Sequence, residues 1–357
     1  MNLCIIKLMI LQEIEYEGFR NLQDTRLEFS ERFNLIVGAN GSGKTNLLEA
    51  IFFSAYAGSF RTNDDRNLVK FNELSLRVQA KSNKTTASIF YNGEKRLILG
   101  GNQKRRIGDF IGWLLVTVFY PDDIWMIRGA PARRRNYIDW LISKLNSPYL
   151  SSLNEYRNIL RQRNQLLGMG KETLNYELLD AFNEQLVSYG NEIYRERKKI
   201  IPILQQKISE IGEVLGLKNL LVNYQDSTLG MALDKKLLKE KEKDDFRYGQ
   251  TTVGPHRDDI LINLDGHPVK NFGSEGEARL SAVALKIAEA RILREVVNEE
   301  PILLLDEVLS EVDEKRKKSL LEFLKGQIFY ATIKPEDCPK ELVDKIFLLE
   351  GGRVEVS

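Results

Sequence analysis

The stretch Gly38-Ala39-Asn40-Gly41-Ser42-Gly43-Lys44-Thr45 fits the pattern G-x-x-x-x-G-K-[ST]. Residues of these types at this spacing cradle phosphate. The glycines let backbone N–H groups turn inward around phosphate oxygens, and a following helix adds the partial positive charge of its N-terminus. Lys44 would reach the β- and γ-phosphates, and the Thr45 hydroxyl would sit on Mg²⁺. The expected nucleotide-binding set runs from Gly38 through Asn46.

A second constellation lies far downstream. "PILLLDE" has four apolar residues, Ile302 to Leu305, then Asp306 and Glu307. A buried run ending in acid reads as a parallel strand with carboxylates at its C-terminal edge, where open α/β sheets bind ligands. Asp306 would hold Mg²⁺ and Glu307 would polarise an attacking water. Taken alone, the pair reads equally well as a solvated acidic turn. A third stretch, "NFGSEGEARL" (Asn271 to Leu280), precedes a long apolar-periodic helix. Ser274-x-x-Glu277 is a capping box, found before many helices. Gly276 would also let backbone approach a phosphate closely. Cap and phosphate contact both stay open.

These residues need elements to hold them. A strand, Phe33 to Val37, precedes the cradle. In the helix after it Leu47, Leu48, Ile51, Phe52 and Ala55 fall on one face. Residues 1–123 alternate short apolar runs with turns, as strands do. Residues 124–243 read as helices rich in Leu, Arg, Glu and Asn. Residues 244–357 return to strands around one long helix, ending in a hairpin turned at Gly351–Gly352. The expectation is an α/β ATPase head in two sequence parts, 1–123 and 244–357, with a compact α-helical domain, 124–243, inserted between them.

Composition bounds the partners. The 357 residues carry a net charge of +1, so any nucleic-acid contact must come from local patches. Two cysteines, Cys4 and Cys338, make no disulfide framework, and a reducing cytoplasm is expected. Two histidines, His256 and His267, exclude a zinc site of the usual Cys/His spacing. The apolar start is interrupted by Lys7 and acids, so no signal peptide is expected. The longest apolar run, "FIGWLLVTVFYP", is too short to span a bilayer. No membrane partner is expected.

Spacing narrows the class. Lys44 and Asp306 are separated by most of the chain, which suits an ATPase interrupted by another domain. A GTPase needs Asn-Lys-x-Asp, and Asn83–Lys84 is followed by two threonines. "GSEGEARL" resembles the Ser-x-Gly signature of ABC-type ATPases, and "SEVDEKR" (Ser310 to Arg316) resembles their D-loop. That likeness implies that Ser274 and Gly276 contact ATP held by a second copy of the chain, with Asp313 on the dimer seam.

"YPDDIWMIRGAPARRRNYID" (Tyr120 to Asp139), "TTVGPHRDDI" (Thr251 to Ile260), "GFRNL" and "GSFRT" (Gly58 to Thr62) then resemble the bacterial RecF proteins over nearly the whole chain. RecF proteins are SMC-like ABC ATPases with a compact helical domain where others carry a long coiled coil. The resemblance implies a cytoplasmic DNA repair ATPase that binds duplex or gap-junction DNA as an ATP-dependent homodimer. It implies action with RecR and RecO to load RecA, and slow hydrolysis that resets the clamp. It also marks Arg61, His256 and Arg257. An adenine or phosphate contact for Arg61 and a packing role for His256 stay open.

Departures from the ABC pattern bear on rate. No histidine follows Asp306; "YATI" stands in the switch position, with Thr332. No glutamine lies between Gln103 and Gln162; Asp122 or Asp123 stands there. Both suit a slow switch. The N-terminus runs longer than the family's usual start, and Met9 is an alternative initiator. Basic groups at Arg133–Arg135, at Arg157, Arg161 and Arg163, and at Arg195 and Arg197–Lys199 are expected to supply phosphate contacts through at least one cluster. The rivals are a transporter's ATPase subunit, which has a shorter insertion and a switch histidine, and a non-catalytic scaffold that holds ATP structurally.

Overall fold

The computed structural model describes residues 7–170, 175–308 and 324–357. They pack as two compact units, Met1–Asp123 with Lys286–Ser357, and Ile124–Leu285.

The N-terminal part of the first unit holds β1 (Lys7–Leu8), β2 (Leu11–Glu17), β3 (Thr25–Glu28), β4 (Phe33–Gly38), α1 (Lys44–Tyr56), β5 (Leu76–Ser82), β6 (Thr86–Tyr91), β7 (Lys95–Leu99), β8 (Asn102–Lys104) and β9 (Val116–Phe119). Strands β2 and β5 alternate buried and exposed positions, as a sheet with one solvated face must. By contrast β4 and β9 are buried almost throughout, the pattern of a sheet covered on both faces.

The second unit is mainly helical: α2 (Ile124–Arg128), α3 (Pro131–Leu145), α4 (Ser147–Gly168), α5 (Tyr176–Leu215), β10 (Leu221–Gln225), α6 (Lys235–Tyr248), β11 (Asp259–Leu264), β12 (His267–Pro268) and α7 (Val269–Phe272). Asn175 caps α5 by accepting from the Leu178 N–H, and Gly216 ends it in the left-handed conformation. Leu186, Gly190, Ile193, Arg197, Ile200, Leu204, Ile208 and Ile211 bury one stripe of α5. At Gly190 an added Cβ would meet Leu233 at 2.6 Å, so glycine allows this close approach. The packing division falls at 285 rather than at 243. The reason is the ladder between β10 and β11, which ties residues 259–264 to the helical segment.

The division falls within α8 (Glu275–Val297), after which the chain returns to the first unit through β13 (Glu299–Glu300), β14 (Ile302–Asp306), β15 (Ile328–Thr332), β16 (Lys345–Glu350) and β17 (Arg353–Val356). Two sheets result. One is antiparallel, ordered β3-β2-β5-β6-β7-β8. The other is ordered β17-β16-β4-β15-β14-β9 and is parallel except at β17. Helix α1 packs against strands of both sheets. It is therefore buried on nearly every side, not on one face alone. The β16–β17 hairpin turns at Gly351–Gly352, both at positive φ. Met9 is buried, and its sulfur accepts from the Leu115 N–H. Among the described residues no helix is long and apolar enough to cross a membrane.

Candidate nucleotide site

The site forms where parallel strands end together. Asp306 of β14 lies opposite Ala331 of β15, Thr332 opposite Val37 of β4, and Gly38 opposite Leu349 of β16. The strand ends thus share one edge, the edge that binds ligands in open α/β sheets.

The loop from Gly38 to Lys44 is tightly built. A Cβ on Gly38 would meet Ser42 Oγ at 2.4 Å and the Leu349 carbonyl oxygen at 2.5 Å. Gly41 and Gly43 take φ of 78° and 114°, values that side chains resist. The Gly352 N–H donates to the Ser42 carbonyl at 2.9 Å, which pins the loop to the β16–β17 turn. Gly43 starts α1 with no capping side chain, and the first turn carries no acid. The amino end of α1 therefore keeps both its N–H groups and its partial charge for an anion. Ser42 Oγ is buried inside the loop without a hydrogen-bond partner. A phosphate oxygen would satisfy it. These features fit a nucleotide's phosphates.

Two contacts join the cradle to the distant acids. Thr45 Oγ1 donates to Asp306 Oδ2 at 2.8 Å. Lys44 Nζ pairs with Glu307 Oε1 at 3.0 Å and donates to the Gly38 and Ala39 carbonyls at 2.8 and 3.1 Å. Burial pushes the Asp306 carboxyl up to about 6; the Thr45 hydrogen bond and the charges of Lys44 and Arg61 oppose this, while Glu307 adds to it. A hard divalent cation would offset that cost, and a hydroxyl beside a carboxylate is a donor set suited to Mg²⁺. Glu307 has φ of 53°, and its N–H donates to the Ala331 carbonyl at 3.1 Å. A glutamate held in this region carries strain of about 1 kcal/mol or more, a feature that clusters at active sites.

Arg61 lies beside the cradle. Its Nη1 donates to Asn46 Oδ1 at 2.7 Å and to Glu49 Oε2 at 3.3 Å. Asn46 donates in turn to Asn21 at 2.7 Å. Gly38 through Asn46, Arg61, Asp306 and Glu307 thus converge. Sequence reasoning missed Glu49, Arg20 and Asn21. "GFRNL" was visible as a motif, but nothing in its pattern pointed to the cradle.

Ser274 and Gly276 lie in the other unit. Ser274 is exposed and forms the capping box: its N–H and Oγ donate to Glu277 Oε2 at 2.7 and 2.8 Å, and its Oγ accepts from the Glu277 N–H at 3.2 Å. The backbone hydrogen bond from Ser274, followed by that of its side chain, lowers the Glu277 carboxyl. Glu275 pairs with Arg279 at 2.9 Å. Both acids of the motif are therefore engaged, and a Cβ on Gly276 would meet nothing within 4 Å. Asp313 lies outside the described residues. At the departures from the ABC pattern, Asp123 accepts from the Tyr120 N–H and Asp122 from the Tyr120 hydroxyl, just after β9.

Several candidate DNA-contacting arginines are internal. Arg134 makes two hydrogen bonds to Asp259 at 2.7 and 2.9 Å. Arg197 grips Asp139 at 2.9 and 3.0 Å and Asp258 at 3.1 Å. Arg163 pairs with Asp245 at 2.8 Å. All three arginines are buried, and their charge is spent on fixing the helical unit. Arg133, Arg157, Arg161, Arg195, Lys198 and Lys199 remain exposed. His256 is also structural: its ring joins the Tyr156 hydroxyl at 2.7 Å and the Thr251 carbonyl at 3.0 Å.

Comparison with known proteins gives a family. The model of the RecF/RecN/SMC N terminal domain matches residues 10–335. A DNA replication and repair protein RecF of Shouchella clausii is 34% identical, covering 90% of this chain and 91% of that protein. Its counterpart in Lactococcus lactis subsp. cremoris is 34% identical over 97% of this chain and 99% of its own length. The solved structure of the recombination mediator protein RecF-ATPrS in the RecFOR pathway superposes with a TM-score of 0.90 at 34% identity, covering 98% of both chains. The corresponding RecF-ATP structure gives 0.89, with 99% of this chain and 98% of that one covered. A Pyrococcus furiosus Smc head domain shares the fold at 19% identity, with a TM-score of 0.55 and coverage of 98% and 96%.

Proposed function

From its membership in the RecF family of DNA replication and repair proteins, whose fold is an ABC-type ATPase head with a helical insertion, we propose that this chain is an ATP-gated DNA clamp. The observation that carries the reading is the pair of contacts Thr45–Asp306 and Lys44–Glu307, which brings together two motifs from opposite ends of the sequence, as an ATP site would require.

In this reading ATP is the substrate, seated on Gly38 through Asn46. Thr45 and Asp306 would hold Mg²⁺, which supplies charge neutralisation at the phosphates when bound. Lys44 exchanges its loop carbonyls and Glu307 for phosphate oxygens. Glu307, released from Lys44, orients water and accepts its proton. Ser274 and Gly276 of a second copy, with its Asp313, close the site in trans. The exposed position of Ser274 and the pairing of Glu275 with Arg279 support such a contact.

The ATP-bound homodimer binds duplex or gap-junction DNA without reading sequence, using exposed basic residues such as Arg133, Arg157 and Arg161. It acts in the cytoplasm with RecR and RecO to promote RecA loading, and slow hydrolysis resets it. The RecFOR pathway named for two solved relatives supports those partners. A threonine, not a histidine, at the end of β15 supports slow turnover.

Filter retention of a labelled duplex tests this. With ATP and Mg²⁺ the wild type should retain DNA and Lys44→Ala should not. Glu307→Gln should retain it longest, because loss of a general base slows hydrolysis by about 100-fold or more. Equal retention by all three proteins with and without ATP contradicts the proposal.

A further inference from the structure

Two arginines from separate loops meet on one buried acid beside the cradle. Glu49, on α1, is fully buried. Its Oε2 accepts from Arg20 Nε at 2.8 Å and from Arg61 Nη1 at 3.3 Å. Its Oε1 accepts from Arg20 Nη2 at 2.9 Å and from the Ser59 hydroxyl. Arg20 takes φ of 51°, so its backbone is also held in a costly conformation. One carboxylate thus carries two guanidinium groups.

The arrangement is anchored to the phosphate loop. Arg61 donates to Asn46, Asn46 to Asn21, and Asn21 Nδ2 to the Gly41 carbonyl at 3.3 Å. A chain of side chains therefore links Glu49 to the loop. The two guanidinium groups that share Glu49 repel one another, and Arg61 also meets the positive end of α1 at Asn46, in the helix's first turn. A single buried acid opposes that repulsion, and the cluster keeps an excess positive charge. The side chain of Arg61 is 37% exposed and that of Arg20 is 20% exposed, so Arg61 is the arm with the freer solvent face. Ion pairs with a buried acid fix side-chain position more than they add stability.

We propose that Glu49 is a positioning residue that presents Arg61 to the polyphosphate of the nucleotide. It clamps Arg20 as the fixed arm and Arg61 as the arm that leaves Asn46 to grip phosphate. This rests on the nucleotide reading of the cradle, and it names the part of the nucleotide that Arg61 recognises. A base contact predicts a different ligand dependence.

Equilibrium binding of ATP and of inorganic tripolyphosphate, both with Mg²⁺, tests the assignment by calorimetry. Melting temperature is followed in parallel. Glu49→Gln should weaken both ligands about tenfold, the scale of one charge-assisted contact. Arg61→Ala should do the same. The double variant should lose no more than either single one, because both remove the same contact. Glu49→Asp, which keeps the charge, should recover part of the loss.

If Glu49→Gln does not fold, Arg61→Ala alone decides, since Arg61 is partly exposed. Wild-type tripolyphosphate affinity in Arg61→Ala overturns the proposal, as does a loss confined to ATP or losses that multiply in the double variant. If the wild-type chain binds neither ligand, the nucleotide reading falls together with the clamp. If the wild type binds both and the variants match it, only the clamp falls.

Discussion

Gly38 shows how closely one residue can govern this site. It ends β4 with Ser42 Oγ and the Leu349 carbonyl against its Cα. Gly38→Ala forces the loop away from β16 and should cost about 1–3 kcal/mol, as overpacking does. Nucleotide affinity should fall with it, because the same shift moves the N–H groups of the cradle. Urea denaturation and nucleotide titration check both effects; unchanged values would contradict the packing account. Gly41 differs: a Cβ there would meet nothing within 4 Å, and only its φ of 78° resists substitution. The glycine pattern, Lys44 and Thr45 stood out in sequence because their spacing alone defines the motif. Glu49 did not. A glutamate inside an amphipathic helix reads as a solvated residue unless the arginines that fold over it are known.

At the scale of elements, the helical unit is set by buried charge as much as by its apolar stripe. Arg134 of "ARRRNYID" and Arg197 of "RERKK" meet the acids of "GPHRDD" as Arg134–Asp259 and Arg197–Asp258. In sequence these looked like basic patches, since periodicity reports which face is apolar and not which charge finds a partner. His256 belongs to this network. Its Nε2 faces the Thr251 carbonyl, which can only accept, so Nε2 carries the proton and Nδ1 accepts from Tyr156. Burial, reinforced by Arg257, Arg135 and Arg163, brings the ring down to about 4. The unfolded ring titrates near 6.5, so the folded form binds fewer protons between the two values. The contribution is complete above 6.5 and is lost as pH falls toward 4. By pH 5 it should cost about 2 kcal/mol. Urea denaturation at pH 7 and pH 5 should show a smaller loss for His256→Gln than for the wild type. An equal loss would mean that the ring does not stay neutral.

For the whole molecule, the fold class was readable because strand texture broke off at residue 124 and returned later in the chain. The second packing boundary was not, because β10 lies within a helical segment and reveals its partner, β11, only once paired. Neither could sequence separate the two readings of Ser274. The capping box is present, yet it leaves Ser274 on the surface and both neighbouring acids engaged. The clamp therefore stands on whether ATP brings a second copy to that serine. Light scattering of Glu307→Gln without nucleotide, with ADP, and with ATP and Mg²⁺ measures this directly, with Ser274→Arg added as a second change. The account predicts that ATP alone doubles the mass, and that Ser274→Arg abolishes the doubling while ATP binding persists. A mass indifferent to ATP, or an undiminished dimer with Ser274→Arg, would contradict it.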